Sequence, residues 1–181
     1  MEDSSRESER FQQERFILSQ LLVMALKGVP AFYLPALLGS ENDIKRFSMT
    51  GERRDLNREK FDFDKLLIQL EDKNSIASKN LKILSKAMNI RSKIKSFHPS
   101  SAMKCLTKDR RDIVAIKRGV DNNSVFAIHN ITDNKLDFSI NDPLKISLKN
   151  VFTYRDYLSG KEYNNLKCVP VRFHVILIGK I

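Results

Sequence analysis

Apolar residues near the start of the chain recur at helical spacing and predict an amphipathic helix from Ser5 to Lys27. Ser4 and Glu7 fit a capping box at its beginning, and Gly28 followed by Pro30 marks its end. Apolar residues occupy most sides of the second half of this helix, which therefore needs cover on more than one face. The residues concerned are Phe16, Ile17, Leu18, Leu21, Leu22, Val23, Met24 and Leu26, and Phe11 precedes them at the same helical spacing.

The next segment, Val29 to Leu34, is a short apolar run without alternation. Such a run is typical of a strand buried on both faces, as in a parallel α/β sheet. A helix, a glycine turn, a buried strand and a polar loop, in this order, form the repeating unit of an α/β barrel or a doubly wound sheet. A buried parallel strand needs neighbours on both sides. We therefore expect part of the protein to lie outside these 181 residues.

Two more helices and then a series of strands follow. The first helix spans Asp62 to Lys73, and the second opens at Asn74 or Ser75 and ends before His98-Pro99. Their predicted core positions are Leu66, Leu67, Leu70, Leu81, Leu84, Met88 and Ile94. From Ala102 onward, short strand-like runs alternate with turn signals. These runs lie at Ile113–Ile116, Val125–Ile128, Leu136–Ile140 and Val171–Leu177.

These elements predict an α/β plus all-β chain. Residues 1–99 are expected to form the terminal helix-strand-helix part of a TIM-type (β/α) barrel. Residues 100–181 are expected to form a small antiparallel β-sandwich, because their turn signals come at regular spacing and one run has a polar face.

Charge and cysteine content narrow the function classes. The chain has 32 Lys and Arg against 22 Asp and Glu, a formal net charge of +10 and a sequence pI near 9.7. The basic residues are scattered, which favours a solvated surface over a nucleic-acid or other polyanion site. Cys105 and Cys168 form no CxxC motif, and the acidic, polar N-terminus is not a signal peptide, so we expect a cytoplasmic protein. No apolar run is long enough for a membrane span.

Several familiar site types have no support in the sequence. His98, His129 and His174 share no metal-ligand spacing, so no metal is predicted, and His129 is expected to be a structural hydrogen-bonder. No GxSxG motif, phosphate-binding glycine loop or other cofactor motif is present, and no cofactor is expected. Asp62 and Asp64 fit helix capping better than acid-base chemistry.

The polar loop Gly39 to Asp62 carries the candidate functional residues. Arg53, Arg54 and Arg58 stand close together in it, and guanidinium groups bind carboxylates, phosphates or sugar hydroxyls through a fixed fork of donors. The residues alone leave open whether these arginines have a function or belong to the surface.

Four short motifs give this region a resemblance. Gly28 to Tyr33, Asn42-Asp43, Thr50-Gly51 and Arg54 to Arg58 occur in the order GVPAFY, ND, TG and RDLNR. This series resembles the last barrel unit of sucrose phosphorylase and its relatives in the α-amylase superfamily, which include phosphorylases for glucosylglycerate, glucosylglycerol and phosphorylated sucrose. Softer matches to the C-terminal β domain of that family are His98-Pro99, Ile128–Thr132 and Tyr154–Gly160.

The resemblance implies a retaining enzyme that transfers a glucosyl group between an α-glucoside and phosphate. It implies an Asp nucleophile, a Glu acid/base and a third Asp that binds the glucosyl ring, all in an N-terminal barrel half, so that no catalytic residue is expected in this chain. Arg54 would bind donor glucose hydroxyls, with Arg53, Asn42 and Asp43 as further candidates. Arg53 stands where the family often has Gly. The resemblance therefore leaves open whether Arg53 or Arg54 takes the sugar-facing position. Asn57 and Arg58 would brace the loop.

Three functions remain open at this point. The chain is a C-terminal enzyme part that is inactive alone, a stand-alone β domain that binds carbohydrate or a polyanion, or the remnant of a truncated gene. The N-terminal helix, which is apolar on most sides, favours an enzyme part or a recently formed gene remnant. A free-standing binding module would be expected to lose such an apolar surface.

Overall fold

The computed structural model describes residues 11–120, 124–138, 153–164, 169–171 and 175–180. Its packing divides the chain into two compact units. One, here called the β unit, contains the residues up to Pro30 and from Lys86 onward, and the other, here called the helical unit, is Ala31–Ser85. The domain boundary between residues 99 and 100 stays a prediction.

Helices dominate the first half of the described chain. The α-helices are α1 (Gln12–Ala25), α2 (Leu34–Leu38), α3 (Ile44–Thr50), α4 (Phe63–Glu71) and α5 (Ile76–Lys93). Two short 3-10 helices cover Arg53–Asn57 and Lys95–Phe97. The helices predicted after Asp62 and after Ser75 are confirmed. The capping box predicted at Ser4 lies outside the described residues.

The second half contains eight described strands. They are β1 (Met103–Cys105), β2 (Ile113–Arg118), β3 (Val125–Asn130), β4 (Leu136–Phe138), β5 (Thr153–Asp156), β6 (Glu162–Asn164), β7 (Val169–Val171) and β8 (Val175–Lys180). Six of them form one sheet in the order β1-β2-β3-β8-β5-β6, and β4 pairs with β7 in a second sheet. Every pairing is antiparallel, as predicted. The packing of a sandwich stays a prediction.

The centre of the β unit is a dry core on β2 and β3. All six residues of β3 are buried, and Ile113, Ala127 and Ile128 are no more than 1% exposed. Helix α1 packs against β3 and β8. It buries Leu18, Leu21, Met24 and Ala25, which lie along one face. One face of the predicted apolar helix is therefore covered within this unit, while Val23 and Leu26 remain 44% and 42% exposed.

The C-terminal end of α1 is held by two arginines from distant parts of the chain. Arg118 is fully buried and donates to the carbonyl oxygens of Ala25 (3.1 Å) and Leu26. Arg91 donates to the carbonyls of Met24 and Gly28, the latter at 2.8 Å. These oxygens belong to the last turn of a helix and the residues just after it, where carbonyls have no partner within the helix.

Both guanidinium groups lie close to the Phe97 ring, with their central carbons 5.1 Å (Arg91) and 5.6 Å (Arg118) from the ring centroid. Burial lowers the pKa of both arginines, and for Arg118 the neighbouring charge of Arg91 adds to the effect. The carbonyl dipoles and the ring face supply the negative potential that balances two close cations. We call Arg91, Phe97 and Arg118 the arginine clamp.

The strand predicted at Val29 to Leu34 is wrong. Residues 29–33 have no regular structure, and Leu34 opens helix α2. Val29 is 79% exposed, whereas the prediction required burial on both faces. The physical reason is the absence of a ladder, since no described strand pairs with this segment and an apolar segment cannot form a strand without a partner.

Helices α3 and α4 of the helical unit contain no buried residue. Helix α4 has its apolar residues at helical spacing, yet Phe63 is 72% exposed and Ile68 is 68% exposed. The inward-facing positions predicted for Leu66, Leu67 and Leu70 are therefore not buried in this chain. On α5 the prediction of Leu84 as a core residue is confirmed, with 0% exposure.

Candidate functional site

Two glycines shape the loop that carries the predicted site residues. Gly39 ends α2 with φ +71°, in the left-handed region that disfavours a side chain. A Cβ on Gly39 would lie 2.2 Å from the amide nitrogen of Asn80, which is itself buried and donates to the carbonyl of Leu38 at 3.4 Å. Gly51 ends α3 with φ +68°. The chain therefore turns sharply before and after α3, and the second turn leads into the 3-10 helix with the arginines.

Asp55 holds this 3-10 helix in place. It is 9% exposed, and its carboxylate lies 3.3 Å from the guanidinium of Arg46 on α3. The Thr50 side chain and the Arg46 guanidinium lower the pKa of Asp55 below its usual range. A backbone hydrogen bond of 2.6 Å from Asp43 to Leu56 joins the start of α3 to the same turn. The inward Asp55 fixes the orientation of the turn, and the neighbouring arginines remain outside.

Four of the six predicted site residues lie around one cavity. This space of about 460 Å³, here called the arginine cavity, is lined by Tyr33, Arg53, Arg54, Asn57 and Arg58. All five side chains are exposed, so the cavity is accessible from solvent. Arg54 forms a long ion pair with Glu52, 3.8 Å between nitrogen and oxygen, and both side chains are more than 60% exposed. The charge of Arg54 also contributes to the lowered pKa of Asp55. An ion pair this exposed contributes little and leaves the guanidinium available to a ligand.

The other two predicted residues lie elsewhere. Asn42 and Asp43 line a second cavity of about 580 Å³, along with Glu41, Glu59 and residues from α4 and α5. The Asp43 carboxylate accepts a hydrogen bond from the Arg46 backbone N–H at 2.9 Å and caps α3. Asp43 therefore has a structural task, and neither residue lines the cavity with the arginines.

Tyr33 is the functional candidate that sequence reasoning did not single out. It is the last residue of the GVPAFY motif, and the structure places it 52% exposed at the arginine cavity. The signal was its position directly before the polar loop. Arg46 was missed as well, because its pairing with Asp55 depends on a tertiary contact that no local spacing shows.

His129 does not act as the predicted hydrogen-bonder. It is 0% exposed, and neither ring nitrogen has a partner in the described structure. Burial lowers the pKa of His129 to about 4, so the ring is neutral at pH 7. Within the described residues, no three or more His, Cys, Asp and Glu side chains are grouped to hold a metal ion. The described helices include none that is long and apolar enough to cross a membrane.

Solved structures define the class of fold. The chain superposes over 95% of its length on trehalose-6-phosphate hydrolase from Bacillus licheniformis, with a TM-score of 0.65, 14% identity and 39% of that chain covered. It also superposes over 97% of its length on pullulanase from Anoxybacillus sp. LM18-11, with a TM-score of 0.62, 12% identity and 24% of that chain covered. The structural neighbours are α-amylase family enzymes. At these identities the likeness concerns the fold.

The sequence relatives are more specific. Glucosylglycerate phosphorylase of Allomeiothermus silvanus is 32% identical over 130 residues, which are 72% of this chain and 23% of that protein. Glucosylglycerate phosphorylase of Escherichia coli K12 is 27% identical over 120 residues, 66% of this chain and 22% of the relative. The resemblance to sucrose phosphorylase and related glucosyl phosphorylases is thus confirmed. No family model matches the sequence. The chain spans only 18–23% of the length of the curated relatives it matches.

Proposed function

We propose that this chain is the C-terminal part of a retaining α-glucoside phosphorylase and forms one wall of its donor glucosyl subsite. The carrying observation is the arginine cavity. Four side chains from the RRDLNR segment converge there with Tyr33 of the GVPAFY motif, and these two motifs carry the resemblance to the phosphorylases. The length comparison adds support, since the matching relatives are several times longer than the matched region.

The proposed reaction is a double displacement. A carboxylate nucleophile attacks the anomeric carbon while a carboxylic acid protonates the leaving oxygen, and phosphate then displaces the enzyme from the glucosyl ester. The resemblance assigns both carboxylates to an N-terminal barrel half, as a separate chain or as a preceding segment. In this scheme Arg54 donates hydrogen bonds to glucose hydroxyls and pairs with an Asp of that half. The products are an α-glucosyl phosphate and the released acceptor.

The exposed apolar surface of this chain fits the same proposal. Val29, Phe63 and Ile68 are each more than 65% exposed. In the complete enzyme, these exposed apolar side chains would be covered by the missing part of the barrel. The described chain lacks that cover. We therefore expect it to self-associate or to bind an apolar-surface dye when it is purified alone.

Complementation tests the proposal. The A. silvanus phosphorylase would be produced without the C-terminal region that this chain matches, and co-expressed with this chain. Release of glucose 1-phosphate from glucosylglycerate would then be measured for the pair and for each chain alone. We expect activity in the pair only, because removal of a nucleophile lowers the rate by several powers of ten. Turnover by this chain alone would refute the proposal, and so would an inactive pair that forms a stable complex.

A variant series assigns the sugar contact. In an active pair, Arg54→Ala is expected to lower kcat/KM by about tenfold to a hundredfold, because a charged hydrogen bond is worth roughly 1.5–3 kcal/mol. Arg54→Lys should recover little, since an ammonium group cannot reproduce the planar fork. Asn42→Ala serves as the matched control, because Asn42 lies at the other cavity. A silent Arg54→Ala beside a crippled Arg53→Ala would move the sugar contact to Arg53.

A further inference from the structure

His129 lies on the side of the six-stranded sheet that α1 covers. Arg118 of β2 reaches the end of α1, and the register places Val125 of β3 directly opposite Arg118, so both residues are on the side of α1. Side chains alternate along a strand, so Val125, Ala127 and His129 share this side. Because α1 packs against β3, the His129 side chain lies in the layer between sheet and helix. It is 0% exposed, and neither ring nitrogen has a hydrogen-bond partner in the described structure.

The direction of α1 along β3 follows from its two ends. Its C-terminal end accepts hydrogen bonds from Arg118, which stands opposite Val125 at the start of β3. Near its first turn, Arg15 donates to the carboxylate of Asp133 at 2.9 Å, shortly after the end of β3. The helix therefore runs antiparallel to β3. His129, the last residue but one of β3, lies beneath the first half of α1.

The two ends of α1 are held in different ways. At its last turn, the fully buried Arg118 and the half-buried Arg91 donate to backbone carbonyls. Near its first turn, the side chains of Arg15 and Asp133 are 33% and 55% exposed, and an ion pair this exposed adds little stability. Phe11, the N-cap residue, provides no side-chain cap. The first half of α1 can therefore leave the sheet at a lower free-energy cost than the last turn.

A proton on His129 would place a charge in this covered layer. The ionisable groups on α1 and on this side of the neighbouring elements are Glu14 and Arg15 of α1, Cys105 of β1, Arg118 of β2, Asp112 just before β2 and Asp133 after β3. On β8, Val175 stands opposite His129. The carboxylates of Asp112 and Asp133 already accept hydrogen bonds from arginines, and Glu14 is exposed. Among the described residues the charged ring thus finds no free buried carboxylate, and the two arginines add repulsion.

We propose that α1 is an acid-released strap, in which protonation of His129 lifts the first half of the helix from the sheet while the arginine clamp holds its last turn as the hinge. Lifting hydrates the ring, so that the charged form gains water as its hydrogen-bond partner. The inference uses contacts within the β unit alone and does not depend on the proposed function.

The direction of the pH dependence follows from burial. Burial lowers the pKa of His129 from 6.5 to about 4 in the closed strap, and hydration in the lifted strap restores the ordinary value. The lifted form therefore binds the proton first as the pH falls. The closed form is fully favoured above about pH 6.5 and becomes less favoured as the pH drops toward 4. Between pH 7 and pH 5, the ratio of lifted to closed strap should rise about twentyfold.

Native-state hydrogen exchange on the full chain tests the strap. Protection of the amides from Phe16 to Gln20, corrected for the intrinsic effect of pH, should fall about twentyfold between pH 7 and pH 5. These amides should also depend little on low concentrations of urea, since lifting half a helix exposes little surface. If they follow the same urea dependence as the β3 amides, the acid effect is global unfolding and the strap is wrong. Unchanged protection would overturn the inference as well.

Substitutions assign the effect to His129. His129→Leu should remove the fall in protection, since the titrating group beneath α1 is then absent. His98→Gln is the matched control, because His98 is an exposed histidine of the same unit, and this variant should keep the full fall. Equal loss of the pH dependence in both variants would contradict the assignment. If His129→Leu does not fold, NMR titration of the His129 ring in the parent chain decides, since protonation without a change in α1 protection removes the strap.

Arg15→Gln tests which end of α1 lifts. Loss of this exposed ion pair should lower the protection of the amides from Phe16 to Gln20 about twofold to fivefold at both pH values. The amides of the last turn should keep their protection, because the arginine clamp is unchanged. A loss confined to the last turn would place the hinge at the other end and refute the strap.

Discussion

The β unit and the helical unit differ in how far their apolar side chains are buried. In the β unit, β2 and β3 form a core in which Ile113 and Ala127 have 0% exposure. In the helical unit, α3 and α4 contain no buried residue, and even their large apolar side chains are exposed, Met49 by 79% and Phe63 by 72%. The two units belong to one chain and have similar apolar residue types. The difference therefore lies in how much of its apolar surface each unit buries with its own contacts.

This contrast teaches which part of the chain folds on its own contacts. A sheet satisfies its backbone and its core together, because each strand pairs with the next and buries its side chains at the same time. Helices α3 and α4 make their backbone hydrogen bonds within the helix, so this bonding needs no neighbouring strand. Helical structure with exposed apolar residues is thus compatible with a missing partner, whereas a lone buried strand is not.

The largest expected effect is on the core of the β unit. Ile113→Ala should lower the free energy of unfolding by about 2–5 kcal/mol, the usual cost of truncating a fully buried aliphatic side chain. Ile68→Ala is the matched control, because this isoleucine is 68% exposed and its truncation should cost less than about 0.5 kcal/mol. Amide hydrogen exchange of each unit gives the measurement. Similar losses of unfolding free energy in the two variants would show that the two units do not differ in how far they bury these isoleucines.

Acid should affect the β unit selectively through His129. Its folded pKa of about 4 lies below the ordinary value of 6.5, so the unfolded chain binds the proton first. Stability is therefore complete above about pH 6.5, falls as the pH drops toward 4 and loses about 2 kcal/mol between pH 7 and pH 5. The helical unit contains no histidine.

Urea unfolding of the β unit at both pH values checks this prediction. His129→Leu removes the titrating group and keeps an apolar side chain of related volume. The variant should lose about 2 kcal/mol less than the parent chain over the same pH interval. An unchanged pH dependence in the variant would assign the acid effect to other groups.

The smallest effect concerns the start of α4. Asp62 caps this helix by accepting a hydrogen bond from the Lys65 backbone N–H at 3.0 Å. Asp62→Ala should destabilise the helix by about 1 kcal/mol, the usual cost of losing such a cap. Asp64→Ala is the control, since Asp64 lies in the first turn and is not the cap. Protection of the α4 amides should fall in the first variant only, and equal losses in both would show that charge near the helix start matters more than the cap.

The sequence predicted elements well wherever local pattern and local contacts agree. The Asp62 cap, the fully buried Leu84 and the strands at Ile113 and Val125 all follow from spacing that neighbouring elements satisfy. The strand predicted at Val29 to Leu34 is wrong, because no described strand pairs with this segment and an apolar run forms a strand only with a partner. The strands β1, β5 and β6 were missed because three or four residues are too few for a period to show.

The structure places the predicted candidate residues in two cavities, and their roles stay predictions. The arginine cluster could be found because Arg53, Arg54 and Arg58 are close in sequence, and a single 3-10 helix with its cap keeps them close in space. Asp43 lines the other cavity and caps α3, a contact that the motif alone did not indicate, and its role in a site stays a prediction. Tyr33 lines the cavity with Arg53, which is 20 residues further along the chain, and Arg46 pairs with Asp55, which is nine residues away. No short motif encodes contacts over such distances in sequence.

The arginine clamp also imposes an order on folding. The carbonyls at the end of α1 receive their hydrogen bonds from donors between 63 and 93 residues further along the chain. During synthesis α1 leaves the ribosome long before Arg118 exists, and its last turn stays frayed until that residue arrives. Closure of so long a loop is an entropic barrier that local helix formation does not face. Helix α1 is therefore among the last of the described elements to acquire a fully hydrogen-bonded end, and this step requires that β2 has formed.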